Sequence, residues 1–250
     1  MGSEVCRAVA GDPALELVAA VDGRVADIEL PADVAADAVA RGADPSTMAT
    51  AGVEVAVDFT VADAARRNAL WCAANGVHAV IGTSGLGDGD LDELRSAFGA
   101  GPAHCVVAPN FAIGAVLLIR LAELAAPWFD TVEVIEMHHD GKADAPSGTA
   151  IATAQRLAAA SSSWAADPTT RENLSGSRGA VGPGGIRIHA VRMRGAVAHQ
   201  EVLLGTAGQT LSLRHDSYER SSFMPGVLLA IKAVAAHPGV TVGLDTLLGL

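Results

Sequence analysis

The residues best suited to chemistry lie in one run, Glu136-Met137-His138-His139-Asp140-Gly141-Lys142-Ala143-Asp144-Ala145-Pro146-Ser147-Gly148-Thr149-Ala150. Two histidines and a lysine fall between positions 138 and 142 of a chain short of cations, with 17 Lys plus Arg against 28 Asp plus Glu. A histidine can donate a proton near neutral pH, and a lysine can pair with a carboxylate or share a proton transfer. The run then opens a helix at Ser147-Gly148-Thr149, where free N–H groups and the positive end of the helix dipole favour a carboxylate or phosphate. Cations beside a helix N-terminus point to a small anionic substrate. The run also admits a metal reading through His138, His139, Asp140 and Asp144. Adjacent histidines on a strand face opposite ways, however, and the i, i+4 or cysteine spacing of a zinc site is missing, so no metal is expected. A solvated charged loop is the plain alternative.

Three further places fall at the carboxyl ends of strand-like runs, where doubly wound sheets bind ligands. Asp22 ends the run Leu15 to Val21, and an acid there can accept from a ribose 2′-OH; the plain reading is a turn aspartate. Gly82-Thr83-Ser84-Gly85 follows Val77 to Ile81, and its small residues let a ligand approach backbone N–H groups; the plain reading is a glycine turn. Ala108-Pro109-Asn110-Phe111 offers an apolar shelf and an amide for a flat ring. Of the other histidines, His78 and His104 open strands and read as structural. His199 and His215 either line a substrate pocket or complete hydrogen bonds.

The elements that must position these residues come in two patterns. Up to Asn110 strands and helices alternate. Val53 to Phe59, Val77 to Thr83 and His104 to Ala108 read as strands, and Ala62 to Asn75 and Asp90 to Phe98 as helices. Residues 24–52 read as a polar, Ala- and Asp-rich connection with room for one helical turn. This is the pattern of βαβ units and a parallel sheet. Beyond Asn110, Ile113 to Ala126 and Gly148 to Ala160 read as helices and Thr131 to Met137 as a strand. Ser161 to Gly185 reads as an extended loop. Ile186 to Val191, Ala198 to Leu204 and Thr210 to His215 read as strands joined by short glycine turns, hence antiparallel. Ser222 to Ala236 reads as a closing helix. The expected architecture is α/β: a Rossmann-type parallel sheet over residues 1–110, to which 222–250 returns, and an α+β unit with an open mixed sheet over 111–221.

Composition sets bounds on function. In 250 residues, 50% are hydrophobic, 18% charged and 4% aromatic, which excludes a disordered or coiled-coil chain and requires an aliphatic core. A formal charge of −11 gives no general attraction for nucleic acid or anionic membrane. The apolar stretch Phe111 to Phe129 holds Arg120, Glu123 and Pro127, so it is not expected to span a bilayer. Cys6, Cys72 and Cys105 are odd in number and form no Cys-x-x-Cys pair, and no signal peptide is read at the start. A reducing, cytoplasmic location is expected.

The chain resembles the 4-hydroxy-tetrahydrodipicolinate reductase (dihydrodipicolinate reductase) family of the diaminopimelate route to lysine, in its actinobacterial, aromatic-poor form. The resemblance is carried by Val57 to Thr60, Gly76 to Gly85, Ala108 to Gly114, Glu136 to Ala150, Val197 to Val202 and Arg214 to Ser217. It implies reduction of a cyclic dicarboxylate, with loss of water, by hydride from NADH or NADPH. It implies His138 as proton donor and Lys142 as second acid, with His139, Gly148 and Thr149 on substrate carboxylates. It implies Asp22, Gly82, Thr83, Ser84, Ala108, Pro109, Asn110 and Phe111 as cofactor contacts, and a homotetramer formed through the open sheet. The family opens with a strand and a Gly-x-x-Gly-x-x-Gly loop. Here Met1-Gly2-Ser3-Glu4-Val5 matches the end of that loop running into its helix, so weak dinucleotide binding is expected. A non-catalytic or cofactor-deficient relative that keeps the substrate unit is the second reading. The missing loop favours it, and the intact His138, His139 and Lys142 favour the enzyme.

Overall fold

The computed structural model describes residues 1–250 except Asp33 and Ala36. These two fall within the connection read over 24–52 and lie outside the described residues. The strands are β1 Ala19–Val21, β2 Ala40–Gly42, β3 Val55–Asp58, β4 His78–Ile81, β5 Cys105–Val107, β6 Thr131–His138, β7 Ala180–Val181, β8 Arg187–Arg192, β9 Ala198–Thr206, β10 Gln209–Ser217 and β11 Val240–Val242. The helices are α1 Gly2–Ala10, α2 Ser46–Ala51, α3 Ala62–Ala74, α4 Asp88–Gly99, α5 Ile113–Ala125, α6 Gly148–Ala160, α7 Met224–Ala233 and α8 Asp245–Leu248. The chain divides into two units, Met1–Ala112 with Phe223–Leu250, and Ile113–Ser222. Among the described residues no helix is long and apolar enough to cross a membrane.

The first unit is parallel throughout. Its four-stranded sheet runs β11-β5-β4-β3, and β1 and β2 form a separate parallel pair. Cys105, Val106 and Val107 of β5 are all buried, as are Ala79, Val80 and Ile81 of β4. Unbroken apolar runs of this kind need cover on both faces, which parallel sheets receive from helices. One core cluster joins these strands to Ala65, Ala69 and Cys72 of α3 and to Leu94 and Phe98 of α4. The Lys232 ammonium of α7 pairs with Asp12, just past α1.

The second unit holds a mixed five-stranded sheet of order β10-β9-β6-β8-β7. β6 runs parallel to β8 and antiparallel to β9. Along β6 the side chains alternate, and Val132, Val134 and Glu136 are the buried set. Val132 and Val134 meet Leu118, Ile119 and Ala122 of α5 and Ala150, Ala154 and Leu157 of α6. Complete burial of a side chain such as Leu157 contributes roughly 1.5–3 kcal/mol. Ser147 caps α6, its hydroxyl accepting from the N–H of Ala150 at 3.2 Å.

Several expectations need correction. β8 and β9 are not neighbours: β6 lies between them, so of the three strands read as antiparallel neighbours β9 and β10 alone form a hairpin, turned at Gly208 with φ +79°, while β8 pairs antiparallel with the short β7. A short glycine link such as Gly195 reads as a hairpin from local sequence, whereas strand order is set by the whole sheet. The connection read over 24–52 contains the strand β2, which was not expected, beside the short helix α2. The strand read from Leu15 begins only at Ala19, and the helix read from Ser222 starts with a 3-10 turn over Arg220–Phe223. β11 and α8 were not anticipated, because each is only three or four residues long.

Candidate active site

The period of two along β6 puts His138 on the same face as Glu136 and Val134. Glu136 is fully buried, with 0% of its surface exposed. One carboxylate oxygen, Oε1, accepts the N–H of Ser147 at 3.0 Å and Arg192 Nη2 at 2.8 Å. The other, Oε2, accepts Arg192 Nη1 at 2.8 Å and meets His138 Nδ1 at 2.6 Å. Arg192 ends β8 and also donates to the carbonyl of Asp144 at 2.6 Å. One carboxylate therefore binds the end of β6, the end of β8 and the cap of α6.

Burial pushes the Glu136 carboxyl up, but the Arg192 fork, His138 and the Ser147 N–H outweigh it, and the group ionises below its ordinary range. Burial pulls the His138 imidazolium down; Glu136 opposes this, Lys142 and Arg192 add to it, and the net direction is down. The Lys142 ammonium donates to Asp144 at 2.7 Å, which lowers the Asp144 carboxyl. His139 is exposed. Asp140, a member of the metal reading, pairs with Arg194 at 2.9 Å. Among the described residues no three His, Cys, Asp or Glu side chains gather as a metal site. At the start of α6 the first N–H groups have no partner within the helix, and a Cβ on Gly148 would meet nothing within 4 Å. Thr149 is half-buried beside it. His138 and the α6 N-terminus are thus joined through Glu136, and Lys142 connects to them through Asp144, whose carbonyl Arg192 also holds.

Sequence reasoning gave no role to Glu136, Arg192 or Gln200. Gln200 lies opposite Glu136 in β9 and donates to Thr153 of α6 at 2.8 Å. The available signal was an acid at an inward position of an apolar strand, two residues before a histidine. His199 completes hydrogen bonds, to Asp216 at 2.7 Å and from the N–H of Val197 at 3.2 Å. His215 packs on Gly114, where a Cβ would stand 2.5 Å from its ring. His78 accepts the N–H of His104 at 2.9 Å and His104 that of Gly239 at 3.2 Å, both tying strand ends.

In the first unit, Asp22 is exposed and accepts the N–H of Arg24 at 2.9 Å, the turn bond of its plain reading. The Arg24 side chain pairs with Asp27 at 2.9 Å. Gly82 lies beneath Phe59: a Cβ there would stand 2.1 Å from the ring, which in turn meets Phe111 with centroids 5.5 Å apart. Thr83 is buried and its hydroxyl reaches the Thr60 carbonyl at 3.4 Å, while Ser84 is exposed. Ala108 is buried, Pro109 exposed, and Asn110 accepts the N–H of Ala112 at 2.9 Å. Asp22, Phe59 and Thr60 line a cavity of about 960 Å³, together with Gly2 and Ser3 of α1 and apolar side chains of β1 and β3. Gly82 to Ser84 and Ala108 to Phe111 do not line it.

A parallel α/β unit, joined in one chain to a mixed-sheet unit that gathers His138 and a buried carboxylate at the start of a helix, is the build of a two-unit α/β enzyme of the dinucleotide-dependent kind. The family model described as dihydrodipicolinate reductase, N-terminus, matches residues 1–111, and the one described as dihydrodipicolinate reductase, C-terminus, matches residues 114–248. The 4-hydroxy-tetrahydrodipicolinate reductase of Nocardia farcinica is 48% identical over 100% of this chain and 95% of its own length. That of Mycobacterium ulcerans is 47% identical over 90% and 93%. The dipicolinate-bound dihydrodipicolinate reductase structure from Paenisporosarcina sp. TG-14 superposes with TM-score 0.86 at 40% identity, covering 98% of this chain and 94% of that one. The chain belongs to the dihydrodipicolinate reductase family. Its activity is that of a 4-hydroxy-tetrahydrodipicolinate reductase, an oxidoreductase of diaminopimelate and lysine biosynthesis.

Proposed function

We propose that His138 donates the proton of this reaction and Lys142 is its second acid, with His139 and the backbone at Gly148 and Thr149 holding the substrate carboxylates. The observation that carries this is the grip of Glu136 on both His138 and the cap of α6. A proton donor is thereby fixed beside a helix N-terminus open to an anion. The substrate class is a small cyclic dicarboxylate, in keeping with the dipicolinate bound to the Paenisporosarcina relative. Replacing a ring C–OH by C–H takes up one hydride and one proton and releases one water.

The hydride comes from NADH or NADPH, which supplies two electrons and a hydrogen when bound. The first unit offers positions for such a group: its cavity carries the exposed acid Asp22 with Phe59, Thr60 and the first turn of α1, and the strand-end residues Gly82 to Ser84 and Ala108 to Phe111 stand outside that cavity. Asp22 would take the ribose, and Gly82, Thr83, Ser84 and Ala108 to Phe111 the nicotinamide end. The open face of the second sheet carries half-buried Ile135, Met137 and Leu203, and neither α5 nor α6 covers it. We assign that face to a homotetramer contact, which sedimentation equilibrium reads directly, and the enzyme to the cytoplasm.

His138→Gln tests the reading. Loss of a general acid should lower kcat by about 10²–10⁴-fold, with the circular dichroism spectrum unchanged. Lys142→Ala should lower kcat and raise KM together. Wild-type kinetics in both variants would remove the pair from the mechanism.

A further inference from the structure

We propose that Glu136 is the positioning residue of the site: it holds the proton of His138 on Nδ1 and leaves Nε2 as the nitrogen that exchanges a proton with substrate. This rests on the reading of His138 as the donor. The geometry leaves the carboxylate little freedom. Both oxygens are gripped by the Arg192 fork, and Oε1 also takes the Ser147 N–H, so Oε2 cannot turn away from the imidazole. Oε2 lies 2.6 Å from Nδ1. A carboxylate facing an arginine is ionised and has no proton to give, so the short contact requires the hydrogen on Nδ1. When His138 is imidazolium, Nε2 carries the second proton. Its transfer breaks the Nε2–H bond, forms a bond to the substrate atom and leaves a neutral ring still bonded to Glu136 through Nδ1.

The charges acting on that ring are Glu136 from its own strand, Arg192 from β8 and Lys142 from the loop, which is itself paired with Asp144. The other titratable groups of the turn are His139 and Asp140, the latter paired with Arg194. β9 presents Ala198 and Gln200 opposite, and α6 presents Ser147 and Thr149, none of them charged. Glu136 is thus the only anion among them that bonds the ring. Its carboxylate favours the imidazolium form, and it fixes which nitrogen is free in the neutral form.

The test uses the full chain with ¹⁵N-labelled histidine, the His138 resonances being assigned by their loss in His138→Gln. In wild type at alkaline pH the neutral ring should show the Nδ1–H tautomer. In Glu136→Gln the amide oxygen stays with Arg192 and Ser147, and its NH₂ faces the ring. The tautomer should then switch to Nε2–H, and the alkaline limb of the kcat profile should move down by about one pH unit or more. KM should change little, and Glu136→Asp, which keeps the charge, should restore the Nδ1–H form. An Nε2–H tautomer in wild type overturns the proposal without any variant. So does Glu136→Gln with unchanged tautomer and pH profile. Should His138→Gln remain fully active, the donor assignment fails instead, and the tautomer measurement still reports separately on Glu136.

Discussion

Arg192→Met is the change whose consequence the structure quantifies most directly. Arg192 supplies two of the four contacts to a fully buried carboxylate, each at 2.8 Å, and its side chain is itself only 19% exposed. Removing one partner of a buried ion pair costs about 3–5 kcal/mol, because the remaining charge is left without compensation. Here Glu136 keeps the Ser147 N–H and the His138 Nδ1–H, which places the cost nearer the lower end. The lost bond to the Asp144 carbonyl adds about 0.5–1.5 kcal/mol. A destabilisation of roughly 3 kcal/mol is therefore expected at neutral pH.

The sign of its pH dependence follows from Glu136. In wild type the folded carboxyl is held below its ordinary range. Its stabilisation is present above the unfolded pKa and is lost as pH falls through the lowered folded value. In the variant the influence of burial prevails and the folded pKa rises. The deficit against wild type should therefore be full at neutral pH and shrink on acidification. Urea unfolding followed by tryptophan fluorescence measures it, since Trp128 and Trp164 both belong to the second unit. The double variant Glu136→Met/Arg192→Met should recover most of the loss, because an apolar pair of similar volume replaces a desolvated ion pair. A cost below about 0.5 kcal/mol, or one that does not change with pH, would refute the reasoning.

Two further outcomes follow from the first unit. Gly82→Ala sets a Cβ 2.1 Å from the Phe59 ring, which Phe111 backs, so it should cost about 1–3 kcal/mol in thermal unfolding; a Tm equal to wild type would show that the ring has room to move. Asp22→Ala should weaken NADH by about tenfold or more in calorimetric titration, as expected for losing a charge-assisted bond, and weaken NADPH less; equal losses for both would take Asp22 away from the ribose.

What the sequence made legible tracks how local each determinant is. The helix Gly148–Ala160 is read to the residue because Ser147 is a cap, and a cap acts within one turn. The buried strands of the first unit are legible as apolar runs between glycine turns. The order of strands in the second sheet is not, since the placement of β6 between β8 and β9 depends on pairings some fifty to seventy residues apart. The connection 24–52 hides β2 because its composition, rich in Ala and Asp, carries no strong period. The histidines and lysine of the site stand out by type. Arg192 does not, lying on another strand and becoming part of the site only through Glu136.

The position of Glu136 explains why a polar residue is tolerated at the heart of an apolar sheet. A slip of one residue in β6 would carry Glu136 and His138 together to the face that α5 and α6 do not cover, and would break the contacts to Ser147 and Arg192 at once. The register that buries Val132 and Val134 against the helices is the same register that aligns the carboxylate with β8 and the cap of α6. Hydrophobic burial therefore selects the geometry of the polar cluster, and the cluster penalises every other register. The desolvation cost of Glu136 is offset by its partners only when all of them are in place. A residue that does no chemistry itself thus couples correct folding of the second unit to correct presentation of His138.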